Sequence, residues 1–254
     1  MPESTAIGAE RFDRLDALRG VAIVWMALFH FFFDLNHFGF IHQDFHGDPL
    51  WTAQRTAIVS LFVFCVGLGQ AVARDRERGR SHWGGHFWQR WAQITTCALL
   101  VSAGSWLMFP RSYISFGVLH GIAVMLLLLR LTAPAGRWLW LIGLLALLMP
   151  MWVQHESFDS RWINWVGLVT HKPTTEDYVP LLPWLGVALW GQAAGQWALR
   201  HRRLLLSAPL SPALSPVGRP LASLGRWSLA FYMLHQPVLI GLVAGAAWLL
   251  RPAG

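Results

Sequence analysis

Charge is scarce in this sequence. Asp, Glu, Lys and Arg make up 13% of the 254 residues, and a single lysine, Lys172, stands beside nineteen arginines. A water-soluble domain of this length carries about 25% charged residues, so a soluble globular class is excluded. Cysteine is nearly missing as well. Cys65 and Cys97 fall inside apolar runs and in no metal-ligand spacing, which excludes a disulfide framework and a zinc module and leaves both as small packing residues. No internal repeat is evident, and nothing resembles a nucleic-acid-binding module. The net charge of +7 is then read as arginine beside anionic headgroups, with no nucleic-acid partner.

What the chain has is apolar runs. Hydrophobic residues reach 55%, sixteen of the residues are tryptophan, and segments of membrane-crossing length fall at 19–38, 55–73, 90–109, 114–131, 138–153, 179–199 and 223–250. A hydrocarbon core of about 30 Å needs roughly 20 residues of helix, so the expected fold is all-α: one polytopic bundle of about seven transmembrane helices spanning 1–254. Residues 1–18 are polar and precede a run too long for a signal peptide, so they read as a retained cytoplasmic segment. Counting Lys and Arg on alternate connections puts fifteen of twenty on the N-terminal side, which makes the N-terminus cytoplasmic and the C-terminus external. The expected location is an integral, multi-pass position in the membrane, which for a bacterial chain is the cytoplasmic (inner) membrane.

The connections differ by side. Cytoplasmic ones are basic, as in RDRERGRSHWGGHFWQR at 74–90, or Ser/Pro-rich, as in the linker at 207–220, which reads as flexible. External ones, 35–51 and 154–178, carry acid, histidine and aromatic residues that can cover a site. Small residues such as Gly67, Gly69, Gly191 and Gly195 are placed for close helix packing.

The first helix carries a polar stripe. At 100° per residue, Arg19 and His30 share a face, Asp34 and His37 follow at i+4 and i+7 from His30, and Asp16 falls within about 40° of it. Arg19 sits at the cytoplasmic mouth with His30 roughly 16 Å further along. A titratable group at that depth is costly unless it faces a cavity or a partner. Spacing pairs His30 with Asp34, whose carboxylate would hold one ring nitrogen and leave the other as a base. FGVLHG places His120 near the external end of its helix, and LAFYMLHQPV places His235 and Gln236 beside Pro237, which permits a kink. Three histidines thus reach similar depth, in no spacing that favours a metal, and no metal is expected.

Five ordered stretches, RLDALRGVAIVWMALFHFFFDLNHF, SLFVFCVGLG, ISFGVLHGIA, EDYVPLLPWLG and LGRWSLAFYMLHQPV, resemble the small bacterial members of the heparan-alpha-glucosaminide N-acetyltransferase catalytic-domain family. The opening LDxLRG followed by histidine is also similar to type-3 membrane acyltransferases. The resemblance implies transfer of an acetyl group from cytoplasmic acetyl-CoA, the co-substrate, to an amino-sugar or hydroxyl acceptor outside, a sugar or glycan. It places Arg14, Asp16, Arg19 and Arg226 at the coenzyme A end, His30 and Asp34 at the reaction, and His120, Asp177, His235 and Gln236 about the substrate. Both a general-base role for His30 and an acyl-histidine intermediate are open. The animal lysosomal pattern points instead to His46 in the loop after the first helix. The Asp34 partner and Arg19 on the same face favour His30. A non-catalytic transporter or flippase with a histidine-lined interior is the alternative from another class, and a homodimer is left open.

Overall fold

The computed structural model describes residues 12–77, 79, 81, 83–175, 177–208, 210, 212 and 214–250. Arg11, Arg78, Arg80 and Arg251, which entered the arginine count, and Glu176, which opens EDYVPLLPWLG, lie outside the described residues, as do residues 1–10 of the N-terminal segment and Pro209, Ser211 and Ala213 of the linker. Every regular element among the described residues is helical: α1 (Asp13–His37), α2 (Pro49–Arg76), α3 (Gly85–Met108), α4 (Val118–Thr132), α5 (Leu139–Trp152), α6 (Leu181–His201), α7 (Leu204–Ser207), α8 (Ser215–Arg226) and α9 (Ser228–Leu250). The all-α bundle expected from the apolar runs is therefore the fold.

Each of the seven expected segments falls on a helix, but two boundaries move. The run 223–250 is broken at Trp227 into α8 and α9, and the linker 207–220 turns helical at Ser215, where Pro216 presets the first turn. The linker is misread because α8 is amphipathic: Gly218, Ala222 and Gly225 share a buried stripe flanked by half-buried Leu221 and Leu224, and most of the other residues are polar, proline or exposed. The start of α2 follows from local chemistry. Asp48 accepts a hydrogen bond from the Leu50 amide at 2.7 Å and Pro49 occupies the first turn, so the helix begins six residues before its apolar run.

Among the described residues four helical stretches are long and apolar enough to cross a membrane: Asp13–His37, Pro49–Arg76, Val118–Trp152 and Ser228–Leu250. The third reverses on itself. Gly136 takes φ 58°, which only glycine adopts readily, inside a 3-10 turn between α4 and α5. Contacts with α6 give the directions. Gln192 and Gln196 of α6 donate to Leu129 O at 2.8 Å and Ala133 O at 3.0 Å, so α4 and α6 run together. Trp190 donates to Trp140 O at 3.0 Å while Gly186 lies against Gly143 and Leu147, so α5 runs opposite to both. The two glutamines thus add side-chain donors to carbonyls around the C-terminus of α4, where Leu129 O also accepts from the Ala133 amide.

Close backbone approach at glycine holds the bundle. Gly67 abuts Ala188 and Gln192 of α6, Gly191 abuts Phe64 of α2, and Gly20 and Gly225 bring α1 and α8 together at Leu221 and Asp16. A Cβ at any of these would strike backbone atoms, so glycine is what permits the contact. Leu99, Leu107, Trp140, Leu145, Leu234 and Leu242, from α3, α5 and α9, remain exposed, a surface suited to lipid.

Candidate active site

The polar stripe of α1 points into the bundle over Asp16, Arg19, His30 and Asp34, while His37 is exposed. Opposite it stands α9. His30 Nδ1 lies 2.8 Å from His235 Nε2, with the rings stacked 5.0 Å apart at 21°. His235 Nδ1 in turn faces two carbonyls, Tyr232 O at 2.8 Å and Phe231 O at 3.3 Å. A carbonyl only accepts, so His235 Nδ1 carries hydrogen and its Nε2 is an acceptor in the neutral ring. His30 Nδ1 must therefore donate, and the lone pair of His30 is left on Nε2. Hydrogen-bond valence fixes this tautomer.

Asp34 is not the partner of His30. Spacing on one helix made that pair attractive, but the carboxylate turns to α9, where Gln236 Nε2 donates to Asp34 Oδ1 at 3.0 Å. The histidine partner comes from 205 positions along the chain, a distance that helical phasing does not address. Asp34 is 3% exposed, and both Asp34 Oδ2 and Gln236 Oε1 are buried with no hydrogen-bond partner among the described residues. Two unfilled acceptors side by side favour a group that brings N–H or O–H donors.

His46 lies elsewhere. It is exposed in the loop after α1, touches Phe33 edge-on at 6.3 Å, and its backbone amide donates to Asp44 at 3.0 Å. Neighbouring Phe45, 3% exposed, is the residue that folds the loop back, stacking on Trp51 at 4.1 Å and closing over Phe29 and Phe33. Amide donors from Gly47 and His46 hold the Asp44 carboxyl below its usual range.

His120 is also kept apart from the histidine pair. Its Nδ1 accepts from the Gly117 amide at 3.3 Å, so Nε2 carries the hydrogen and donates to Ser102 Oγ at 3.2 Å, which passes a bond to Ile114 O at 2.6 Å. Both ring nitrogens are thus engaged, Nδ1 in capping α4 and Nε2 on Ser102 of α3, and neither is free for substrate in this arrangement. Asp177 does related work. Its Oδ2 accepts from Val118 N at 2.9 Å at the N-terminus of α4, where the helix dipole favours an anion. Burial nevertheless raises its pKa, against the lowering effects of that amide, Lys172 and Arg55. A Cβ at Gly117 would strike the carboxylate, which accounts for the glycine in FGVLHG.

The expected cofactor residues gather at the other end of α1. Arg19 bonds Asp16 at 3.0 Å and rests against Gly69, so the glycine of VGLG makes room for a guanidinium. Arg226 approaches Asp13 at 3.7 Å, and Arg14 reaches Leu204 O and Leu205 O at 3.4 and 3.3 Å. Arg90 of α3 lies within electrostatic range of Arg19, a convergence of two helices that the sequence does not reveal. Among the described residues no three His, Cys, Asp or Glu side chains converge as a metal ion requires.

A helical bundle of membrane-length apolar helices, with a tautomer-fixed histidine pair inside and arginines at one end, is a membrane protein that holds a base in its interior. The chain belongs to the heparan-alpha-glucosaminide N-acetyltransferase catalytic family, whose model matches residues 11–237, and membership implies acetyltransferase activity. No curated protein sequence and no solved structure matches the chain significantly.

Proposed function

We propose that the protein transfers an acetyl group from cytoplasmic acetyl-CoA across the membrane to an amino or hydroxyl group of an external sugar or glycan. The observation that carries this reading is the His30–His235 pair, which leaves His30 Nε2 as a free base. In this scheme α1 to α6 and α9 make seven crossings, the N-terminus is cytoplasmic, and α8 lies at the cytoplasmic side. Arg14, Arg19, Arg90 and Arg226, with Asp16 between them, receive the phosphates of coenzyme A through charge-assisted hydrogen bonds. The roughly 16 Å rise from Arg19 to His30 is spanned by the pantetheine arm.

At the far end His30 Nε2 takes the proton of the acceptor as it attacks the thioester carbonyl, and the imidazolium formed donates through Nδ1 to His235; the C–S bond then breaks, and His30 returns the proton to the departing thiolate, so that coenzyme A leaves as the free thiol. Asp34 Oδ2 and Gln236 Oε1 accept the remaining N–H or O–H bonds of the acceptor. The test is transfer of labelled acetyl from acetyl-CoA to membrane or periplasmic glycans by purified protein in liposomes. Protein that neither binds nor hydrolyses acetyl-CoA would return the transporter reading.

A further inference from the structure

Outside the histidine pair, one polar cleft of about 280 Å3 lies among the loops 111–115, 159–164 and 173–175. It opens at the end of the bundle toward which His30 lies. α1 and α2 are antiparallel, since Trp25 meets Gln54 while Arg19 meets Gly69, and α3 and α4 are antiparallel, since Trp91 meets Ala123 while Ser102 meets His120. The cleft wall is tied to the capped start of α4, because Thr175 donates to Tyr113 O at 3.0 Å and Ser102 to Ile114 O at 2.6 Å.

Its charge is unusual. Arg111 has no hydrogen-bond or ionic partner among the described residues, and Arg161 has only the ring of Tyr113, over which its guanidinium lies at 5.0 Å. Asp159 lines the cleft too, but its oxygens are committed to Thr170 N at 2.8 Å, Thr170 Oγ1 at 2.5 Å and His171 N at 3.4 Å. Asn164 is 5% exposed, lines the cleft, and its side-chain amide has no partner among the described residues, although its backbone is fixed by Tyr178 Oη at 2.7 Å. Among the described residues, two guanidinium groups without an ionic partner outweigh one committed carboxylate and favour an oxyanion. Hydroxyls of Ser115, Thr174 and Thr175 and the Tyr113 ring complete a lining suited to a hydroxyl-rich ring.

We propose that this cleft binds the oxyanion of an acidic, polyhydroxylated molecule, its acid group on Arg111 and Arg161 and a neighbouring polar group on the Asn164 amide. The molecule is the acidic part of the acceptor, a step that rests on the transfer reading above; the anion site itself does not depend on it. The same chemistry could be met by an anionic lipid headgroup, so the test separates the two. Protein in phosphatidylcholine nanodiscs is titrated calorimetrically with glucuronate, and with glucose as the neutral control. Glucuronate is expected to bind at least tenfold more tightly than glucose. R111Q and R161Q each weaken it about tenfold, and R137Q, outside the cleft, leaves it unchanged. Repeating the titration in nanodiscs containing phosphatidylglycerol leaves the affinity unchanged for a sugar-acid site, whereas weakening of glucuronate binding by that lipid assigns the oxyanion to the lipid headgroup and overturns the acceptor assignment. Equal binding of glucose and glucuronate, or full glucuronate binding by folded R111Q/R161Q, overturns the proposal. Coenzyme A binding by the same preparations tells failure of the transfer reading apart from failure of this site.

Discussion

His30 owes its free nitrogen to a residue that is itself fully engaged. His235 spends Nδ1 on the carbonyls of its own helix and Nε2 on His30, so the acceptor that orients the base is neutral, where spacing on α1 had suggested a carboxylate. Removing His30 should lower transfer by about 10²–10⁴-fold, the usual worth of a general base, while H235A, which frees the ring without deleting the base, should cost less. H46A should stay near wild type; initial rates under saturating acetyl-CoA check all three. A second prediction concerns acid. Asp159 is held below its usual pKa by Thr170 and His171, so its stabilisation is complete above the ordinary carboxylate value of about 3.9 and is lost as pH falls through the lowered value. The protection of the Thr170 amide, its exchange rate relative to the intrinsic rate at the same pH, should be high at pH 6 and fall only at lower pH, and D159N should lack that protection at both. Nearby Tyr178 is pushed up to about 12 by burial and by Asp159, which keeps its hydroxyl as the donor to Asn164 O. None of this loop chemistry was legible in the sequence, since Asp159 and Thr170 are joined only by the folded chain.

Between elements, the short motifs acquire separate physical reasons. LDALRG and LGRWS meet because Gly20 and Gly225 let α1 and α8 touch backbone to backbone, and FVFCVGLG serves α6 through Gly67 and Arg19 through Gly69. Replacing Gly20 by valine should destabilise the protein by about 1–3 kcal/mol through overpacking, whereas G241A, at a site with open space around it, should be neutral or gain up to about 1 kcal/mol from helix propensity. Thermal unfolding in detergent distinguishes the two. The long helices were legible because the length of an apolar run is enough to mark α1, α2 and α9, without any knowledge of what each packs against. What escaped was α8, whose Pro216, Gly218 and Pro220 imitate a linker, and the break at Trp227 that lets α9 begin afresh.

At the scale of the molecule the account requires two ends with different chemistry. Arginines cluster where α1 begins, and a histidine pair, two orphaned acceptors and a polar cleft lie toward its other end. Charge asymmetry between connections was readable from the arginines, but the joining of α1 to α9 was not, because neither helix records its neighbour. An odd number of crossings predicts that a phosphatase active only outside the cytoplasm works when fused to the C-terminus and is inactive at the N-terminus; activity from both would contradict seven crossings. The most direct test of the central claim is acetyl transfer from labelled acetyl-CoA by wild type, H30A and H46A in proteoliposomes. The account predicts loss of product with H30A and near-normal product with H46A. Transfer that survives H30A and disappears with H46A would contradict it.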